Sequence, residues 1–134
     1  MRFVWLAAAL VVAFAGFMVL GTLFAGSASA QGRVVAEYTA RIGPADHFNS
    51  AGDRLETVAA ILRQDRANMH RFDLADDEDE SDDYFVDPQT RGLFEWLVSR
   101  GLVRVDTHRA IINGNPLVQV TVYERRADVV VLEP

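Results

Sequence analysis

The stretch DRLETVAAILRQDRANMHRF, which runs from Asp53 to Phe72, decides the fold, because it predicts an amphipathic helix with charges on its apolar side. Leucine, valine, methionine and phenylalanine recur along it at intervals of three, four and seven residues, the spacing of one helix face. Asp53 can cap the helix, and Glu56 three residues on gives a pattern close to a capping box. Ser50 is a competing start for the same helix.

Asp65 and Arg66 are the charged residues on the core-facing side of this predicted helix. At about 100° per residue from Leu55, the apolar face is centred near 320°, with Asp65 at about 280° and Arg66 at about 20°. A buried charge is costly unless it is paired, and adjacent helix residues do not face one another well. We therefore predict a buried polar tie in which each residue has a separate partner. Arg66 needs an acidic residue or backbone carbonyls, and the candidates for Asp65 are Arg41, Arg91 and Arg104.

A polar pocket is the functional alternative to a structural tie. In this hypothesis the helix residues converge with the loop GPADHFNSAGD, and the candidate lining is Asp46, His47, Ser50, Asn68 and His70. These residue types serve acid–base and nucleophilic catalysis, but the chain has no G-x-S-x-G motif. Its three histidines show no zinc-ligand spacing. We therefore expect no catalysis, with an envelope hydrolase or metal-dependent enzyme using His47, Asp65 and His70 as the rival hypothesis.

The segments on either side of the helix predict a sheet. Residues 33–42, RVVAEYTARI, alternate between apolar and polar positions, which is typical of a half-buried strand. Residues 102–134 are rich in valine and isoleucine and predict three strands, with one turn at Asn113-Gly114 and a second at ERRAD. The first strand is expected to pair with one of these later strands.

A second helix is predicted over residues 87–101, DPQTRGLFEWLVSRG. Asp87 suits the N-cap, Pro88 suits the first helical position, and Gly101 suits a left-handed C-cap. Together the elements predict an α+β fold: a small single domain with a mainly antiparallel sheet of about four strands and two helices packed on one face.

The acidic loop, residues 73–87, separates the two predicted helices. It has nine acidic residues in fifteen, so we expect a solvated loop that offers a docking surface to a basic protein partner. Calcium is the alternative ligand, because it favours carboxylate oxygens. The loop lacks the EF-hand spacing, so the calcium hypothesis rests on an irregular site formed by Asp77, Asp79, Asp82 and Asp83.

Residues 1–30 have the layout of a signal peptide: Arg2, a long apolar run, and SASA before Gln31. An uncleaved membrane anchor is the alternative, and it would be the only membrane contact. Both place residues 31–134 outside the cytoplasm, in the periplasm or secreted. Apart from Arg2, the chain has 12 arginines and 19 acidic residues, which disfavours nucleic acid as a partner. With no cysteine and no cofactor motif, we expect a non-catalytic binding or structural role that uses the acidic loop.

Overall fold

The sheet consists of three antiparallel strands in the order β1-β2-β3: β1 (Val34–Arg41), β2 (Leu117–Tyr123) and β3 (Arg126–Glu133). The computed structural model describes residues 32–134, so the predicted leader lies outside the described residues. The rest of this α+β domain is a 3₁₀ helix (Pro44–His47) and four helices: α1 (Val58–Phe72), α2 (Pro88–Arg91), α3 (Phe94–Val98) and α4 (Val105–Asn113).

The alternation of β1 builds one wall of the core, as predicted. Tyr38, Ala40 and Ile42 are buried, and Tyr38 and Ala40 lie opposite Val120 and Val118 of β2. The later strand that pairs with β1 is therefore β2. The predicted turn at ERRAD is confirmed, because it joins β2 to β3 with Tyr123 opposite Arg126. Buried valines of β2 and β3 complete the apolar side of the sheet.

The prediction of about four strands is wrong, because residues 105–113 form α4. Thr107 and Ile111 are its buried residues, four positions apart, so the segment buries one helical face despite its β-branched residues. Asn113-Gly114 is consequently the end of a helix, where the Gly114 N–H donates to Ala110 O over 2.8 Å. Before α4, Val103 makes only an isolated parallel bridge to β3.

The first helix begins later than predicted. Thr57 is its N-cap, and the Thr57 hydroxyl accepts from the Ala60 N–H over 3.1 Å. Asp53 and Ser50 therefore do not start it. Instead the side-chain oxygen of Asn49 accepts from the N–H groups of Ala51 and Asp53 at 2.9 Å each, which fixes a loop before the helix.

The second predicted helix is confirmed at its start and interrupted in the middle. Asp87 is the N-cap, where its carboxylate accepts from the Gln89 N–H over 2.8 Å, and Pro88 lies in the first turn. The helix ends at Arg91, and α3 begins three residues later. The predicted left-handed cap at Gly101 is wrong. Glycine is required there because any Cβ would overlap the Ala127 carbonyl oxygen of β3.

The acidic loop lies along the outer edge of β1 and is not simply solvated. The Glu80 N–H donates to Thr39 O over 2.8 Å, and the Glu80 carboxylate accepts from the Thr39 N–H over 2.7 Å. The Asp79 carboxylate accepts from the Arg41 N–H over 2.8 Å. The loop thus covers a strand edge that would otherwise be open to pairing. No helix within residues 32–134 is long and apolar enough to cross a bilayer.

Candidate functional site

Arg66 is the centre of a buried charged cluster between α1, β1 and the acidic loop. It is 0 % exposed, and its Nε donates to Asp65 Oδ2 over 2.7 Å. Its Nη1 donates to Asp82 Oδ2 over 3.1 Å and to Glu80 O over 2.8 Å. The guanidinium carbon lies 4.0 Å from the centre of the Tyr38 ring. The charge is therefore met by two carboxylates, a carbonyl and an aromatic face.

The partner predicted for Asp65 is wrong. Asp65 bonds its neighbour Arg66, because the long arginine side chain folds back along the helix and brings Nε to the preceding residue. Arg41, Arg91 and Arg104, the expected partners, bind elsewhere. Their respective partners are Glu78 with Glu133, the carbonyls of Phe85 and Val86, and Asp106.

Asp82 joins this cluster to His70 and to the backbone of Phe85, near the end of the acidic loop. His70 Nε2 lies 3.1 Å from Asp82 Oδ2, and the Phe85 N–H donates to Asp82 Oδ1 over 2.6 Å. With Asp65 and Asp82 ionised, the single guanidinium leaves the cluster one negative charge in excess. A proton on Asp65 makes the cluster neutral, and burial favours neutrality.

Asp46 lies in a second buried group, on the 3₁₀ helix. It accepts from the Gly43 N–H over 2.8 Å and from Asn68 Nδ2 over 2.7 Å. The Asn68 carbonyl oxygen in turn accepts from Gln64 Nε2 over 2.8 Å. Gln64, Asn68 and Asp46 thus form a hydrogen-bonded chain from the surface of α1 to the interior.

Burial changes the acidity of both interior carboxyls. Desolvation raises the pKa of Asp46 to about 6, although the bonds from Asn68 and Gly43 oppose it. Desolvation raises the pKa of Asp65 to about 7 against the opposing effect of Arg66. Raised carboxyl pKa values are common at functional sites, but both of these carboxyls are buried and hydrogen-bonded within the protein.

The predicted polar pocket does not form as one site. Asn68 meets Asp46, whereas His70 belongs to the Arg66 cluster. His47 Nε2 lies 3.0 Å from Gly114 O, and Ser50 is exposed on the loop before α1. Of the residues of the rival enzyme hypothesis, Asp65 and His70 therefore share the Arg66 cluster, whereas His47 bonds the Gly114 carbonyl instead.

The structure also separates the four candidate calcium ligands. Asp79 bonds backbone N–H groups of Arg41 and Asp76, and Asp82 is engaged by Arg66. Asp77 and Asp83 are exposed. Within residues 32–134, no group of three or more histidine or acidic side chains is placed to hold a metal ion.

An open groove of about 360 Å³ lies beside the outer face of α1. Its other walls are the loop before α1 and the segment that runs from α2 into the start of α3. Its apolar lining is Leu55, Ala59, Ala60, Ala67, Phe72, Pro88 and Gly92. Its polar lining is Asn49, Ser50, Arg63, Gln64, Arg71, Arg91 and Glu95. The volume lies in the range of small-ligand sites.

The groove has a positive lining in an acidic protein. Arg63, Arg71 and Arg91 line it, and within residues 32–134 none of them forms an ion pair with a carboxylate. Arg63 and Arg71 are exposed, and the Arg71 guanidinium lies 5.0 Å from the centre of the Phe72 ring. Glu95 is the only acidic residue of the lining. The geometry can therefore bind an anion that also has an apolar part.

Sequence reasoning assigned the groove residues only to the solvent side of the helix. On the helical wheel, the side opposite the apolar stripe holds Ala60, Arg63, Gln64 and Ala67. A wheel describes one helix only, so it does not show which other segments form the walls beside this side. The available signal was two alanines between polar residues on one exposed face, which leaves space that larger side chains would fill.

Comparison of the chain with protein-family models, with curated proteins and with solved structures finds no match in any of the three. The function must therefore be inferred from the protein's own side chains.

Asp65→Ala should lower the free energy of unfolding by about 1–3 kcal/mol, because the Arg66 Nε–H would stay buried without its acceptor although Asp82 still balances the charge. Glu124→Ala is the control, since it breaks only the exposed pair with Arg33 and should cost less than about 1 kcal/mol. Urea denaturation followed by circular dichroism measures both. Equal stability of Asp65→Ala and the parent would show that the cluster does not hold the fold.

The raised pKa values predict that acid stabilises the protein. A carboxyl whose pKa is higher when folded than unfolded binds its proton more tightly in the folded state. The stabilisation by Asp46 and Asp65 should therefore be lost as the pH rises from about 4, the unfolded pKa, through their folded pKa values of about 6 and 7.

The midpoint of thermal unfolding should fall as the pH is raised from 4.5 to 8. Asp46→Asn should make the fall shallower, and exposed Glu56→Gln should leave it unchanged. A parental slope in Asp46→Asn would contradict the assignment.

Proposed function

We propose that this protein is an exported, non-catalytic binding domain whose groove beside α1 takes an anionic ligand. The observation that carries the proposal is the groove lining, where three arginines have no carboxylate partner within residues 32–134. Export follows from the predicted leader, with the periplasm and the exterior as the two destinations.

The groove chemistry favours binding over catalysis. Its lining offers guanidiniums, amides, one hydroxyl and one carboxylate, with no imidazole. The carboxyls with raised pKa values, Asp46 and Asp65, are enclosed and hydrogen-bonded away from it. A general base must lie within hydrogen-bond reach of the proton it takes, and neither residue meets that condition for a ligand in the groove.

The preference for an anion is local. The chain as a whole is acidic, so distant charges repel an anion, but exposed charges are screened beyond about 8–10 Å at physiological salt. Arg63 and Arg71 line the groove itself, and the apolar part of the lining excludes water from the part of a bound molecule that it covers. A ligand with an anionic group and an apolar body therefore gains from both parts of the lining.

The amphiphilic anion 8-anilinonaphthalene-1-sulfonate should bind the folded protein, and its uncharged counterpart N-phenyl-1-naphthylamine should bind less tightly. The Arg63→Gln/Arg71→Gln double variant should weaken sulfonate binding about 5–10-fold, which corresponds to about 1–1.4 kcal/mol. Arg109→Gln, on the exposed side of α4, is the control and should have no effect. Fluorescence titration gives the dissociation constants. Unchanged binding by the Arg63→Gln/Arg71→Gln double variant would refute the groove as the anion site.

Docking of a basic protein partner on the acidic loop is the second candidate function. Its supporting observation is that Asp73, Asp76, Asp77 and Asp83 are exposed and form no ion pair within residues 32–134. Partial burial and the neighbours Asp79 and Asp77 raise the pKa of Asp76, as expected for crowded carboxylates. The bonds of the loop to β1 hold these groups in place before a partner arrives.

Asp76→Asn/Asp77→Asn should weaken the binding of an eight-residue arginine peptide several-fold, and binding should fall further as salt rises. Asp53→Asn/Glu56→Gln removes the same charge from another exposed region and is the matched control. Isothermal titration calorimetry at two salt concentrations compares the pairs. Equal losses in both double variants would mean that only net charge matters and that the acidic loop is not a docking surface.

A further inference from the structure

The spacing of Arg63 and Arg71 limits which anion can use both of them. The two residues are eight positions apart on α1, which places their backbones about 12 Å apart along the helix axis. Ala67 lies midway between them in the sequence and also lines the groove, and Gln64 lies next to Arg63. An elongated ligand with two anionic groups can reach both ends of this row at once, whereas a compact ion such as sulfate would require both arginine side chains to bend toward Ala67.

An extended peptide matches this row. A strand rises about 3.3 Å per residue, so side chains four positions apart are separated by about 13 Å. Because successive side chains alternate between faces, the residues at positions i, i+2 and i+4 all point to the same side. Acidic side chains at i and i+4 would therefore face Arg63 and Arg71 together, and the side chain at i+2 would face the small Ala67.

Gln64 supplies a group suited to a peptide backbone. Its Nε2 donates to the Asn68 side chain, which leaves Oε1 as the acceptor of the amide. Within residues 32–134, this oxygen has no hydrogen-bond donor. An extended peptide presents N–H groups between its side chains, and one of them can donate to Gln64 Oε1. The amide orientation is set by the chain through Asn68 to Asp46.

We propose that the groove binds an extended segment of a partner protein, with acidic side chains at positions i and i+4 and an apolar side chain at i+2. This inference rests on the proposed function of the groove as an anion site and names its ligand class. The acidic loop begins at Asp73, directly after the Arg71 end of the row. It repels further negative charge, so a spaced acidic pair is preferred to an unbroken acidic run.

The test uses protein produced from the full-length sequence and fluorescently labelled peptides. The spaced-pair peptide is acetyl-Ala-Asp-Ala-Leu-Ala-Asp-Ala-amide. The matched peptides replace both aspartates by asparagine, or bring them two positions apart, or replace the five central residues by five consecutive aspartates. Fluorescence anisotropy should show that the spaced pair binds at least about tenfold more tightly than the asparagine peptide and more tightly than the other two.

Arg63→Gln and Arg71→Gln should each remove most of this advantage, and Arg109→Gln should preserve it. Circular dichroism of each variant confirms that it is folded. Equal binding of the spaced-pair and asparagine peptides would overturn the inference. If the sulfonate probe still depends on Arg63 and Arg71 in that case, the groove remains an anion site and only the peptide is excluded. If the probe does not depend on them, both proposals fail.

Discussion

The burial of the Arg66 guanidinium is the constraint on which the arrangement of the other elements depends. Removing an arginine charge from water costs several kcal/mol, so the fold is stable only if partners surround it. They come from three places in the chain: Asp65 from the same helix, Tyr38 from β1, and Asp82 with the Glu80 carbonyl from the acidic loop. The contacts that surround the Arg66 guanidinium thus hold α1, the sheet and the acidic loop together.

The acidic loop gains its structure from this requirement. A run of carboxylates repels itself and would stay solvated if no positive group drew it inward. Asp82 is drawn to Arg66, and this places Asp79 and Glu80 beside β1, where their carboxylates accept backbone N–H groups of the edge strand. The edge is closed by charged side chains and by one backbone bond from Glu80, which offers little to a further strand.

The sequence predicted which way the side chains of α1 point better than it predicted which groups they bond. The helical wheel orients Asp65 and Arg66 toward the interior because the backbone fixes where each Cβ points. It could not identify the bond between them, since an arginine side chain has enough torsions to reach its own neighbour. The β-branched residues of α4 predicted a strand, whereas burial of Thr107 and Ile111 on one side of a helix decided the outcome. The groove could not be predicted from the sequence, because its walls come from segments that are distant from one another along the chain.

The interior and the groove are connected through the polar residues of α1. Asp46 accepts from Asn68 Nδ2, which fixes the Asn68 amide with its oxygen toward Gln64. That oxygen accepts from Gln64 Nε2, so the Gln64 oxygen becomes the group left for a ligand. Reversing either amide would place two donors or two acceptors together. The buried carboxyl of Asp46 therefore determines, through the Asn68 amide, that Gln64 presents an oxygen to the groove. The free energy spent in burying Asp46 thus fixes which hydrogen-bonding group the groove offers.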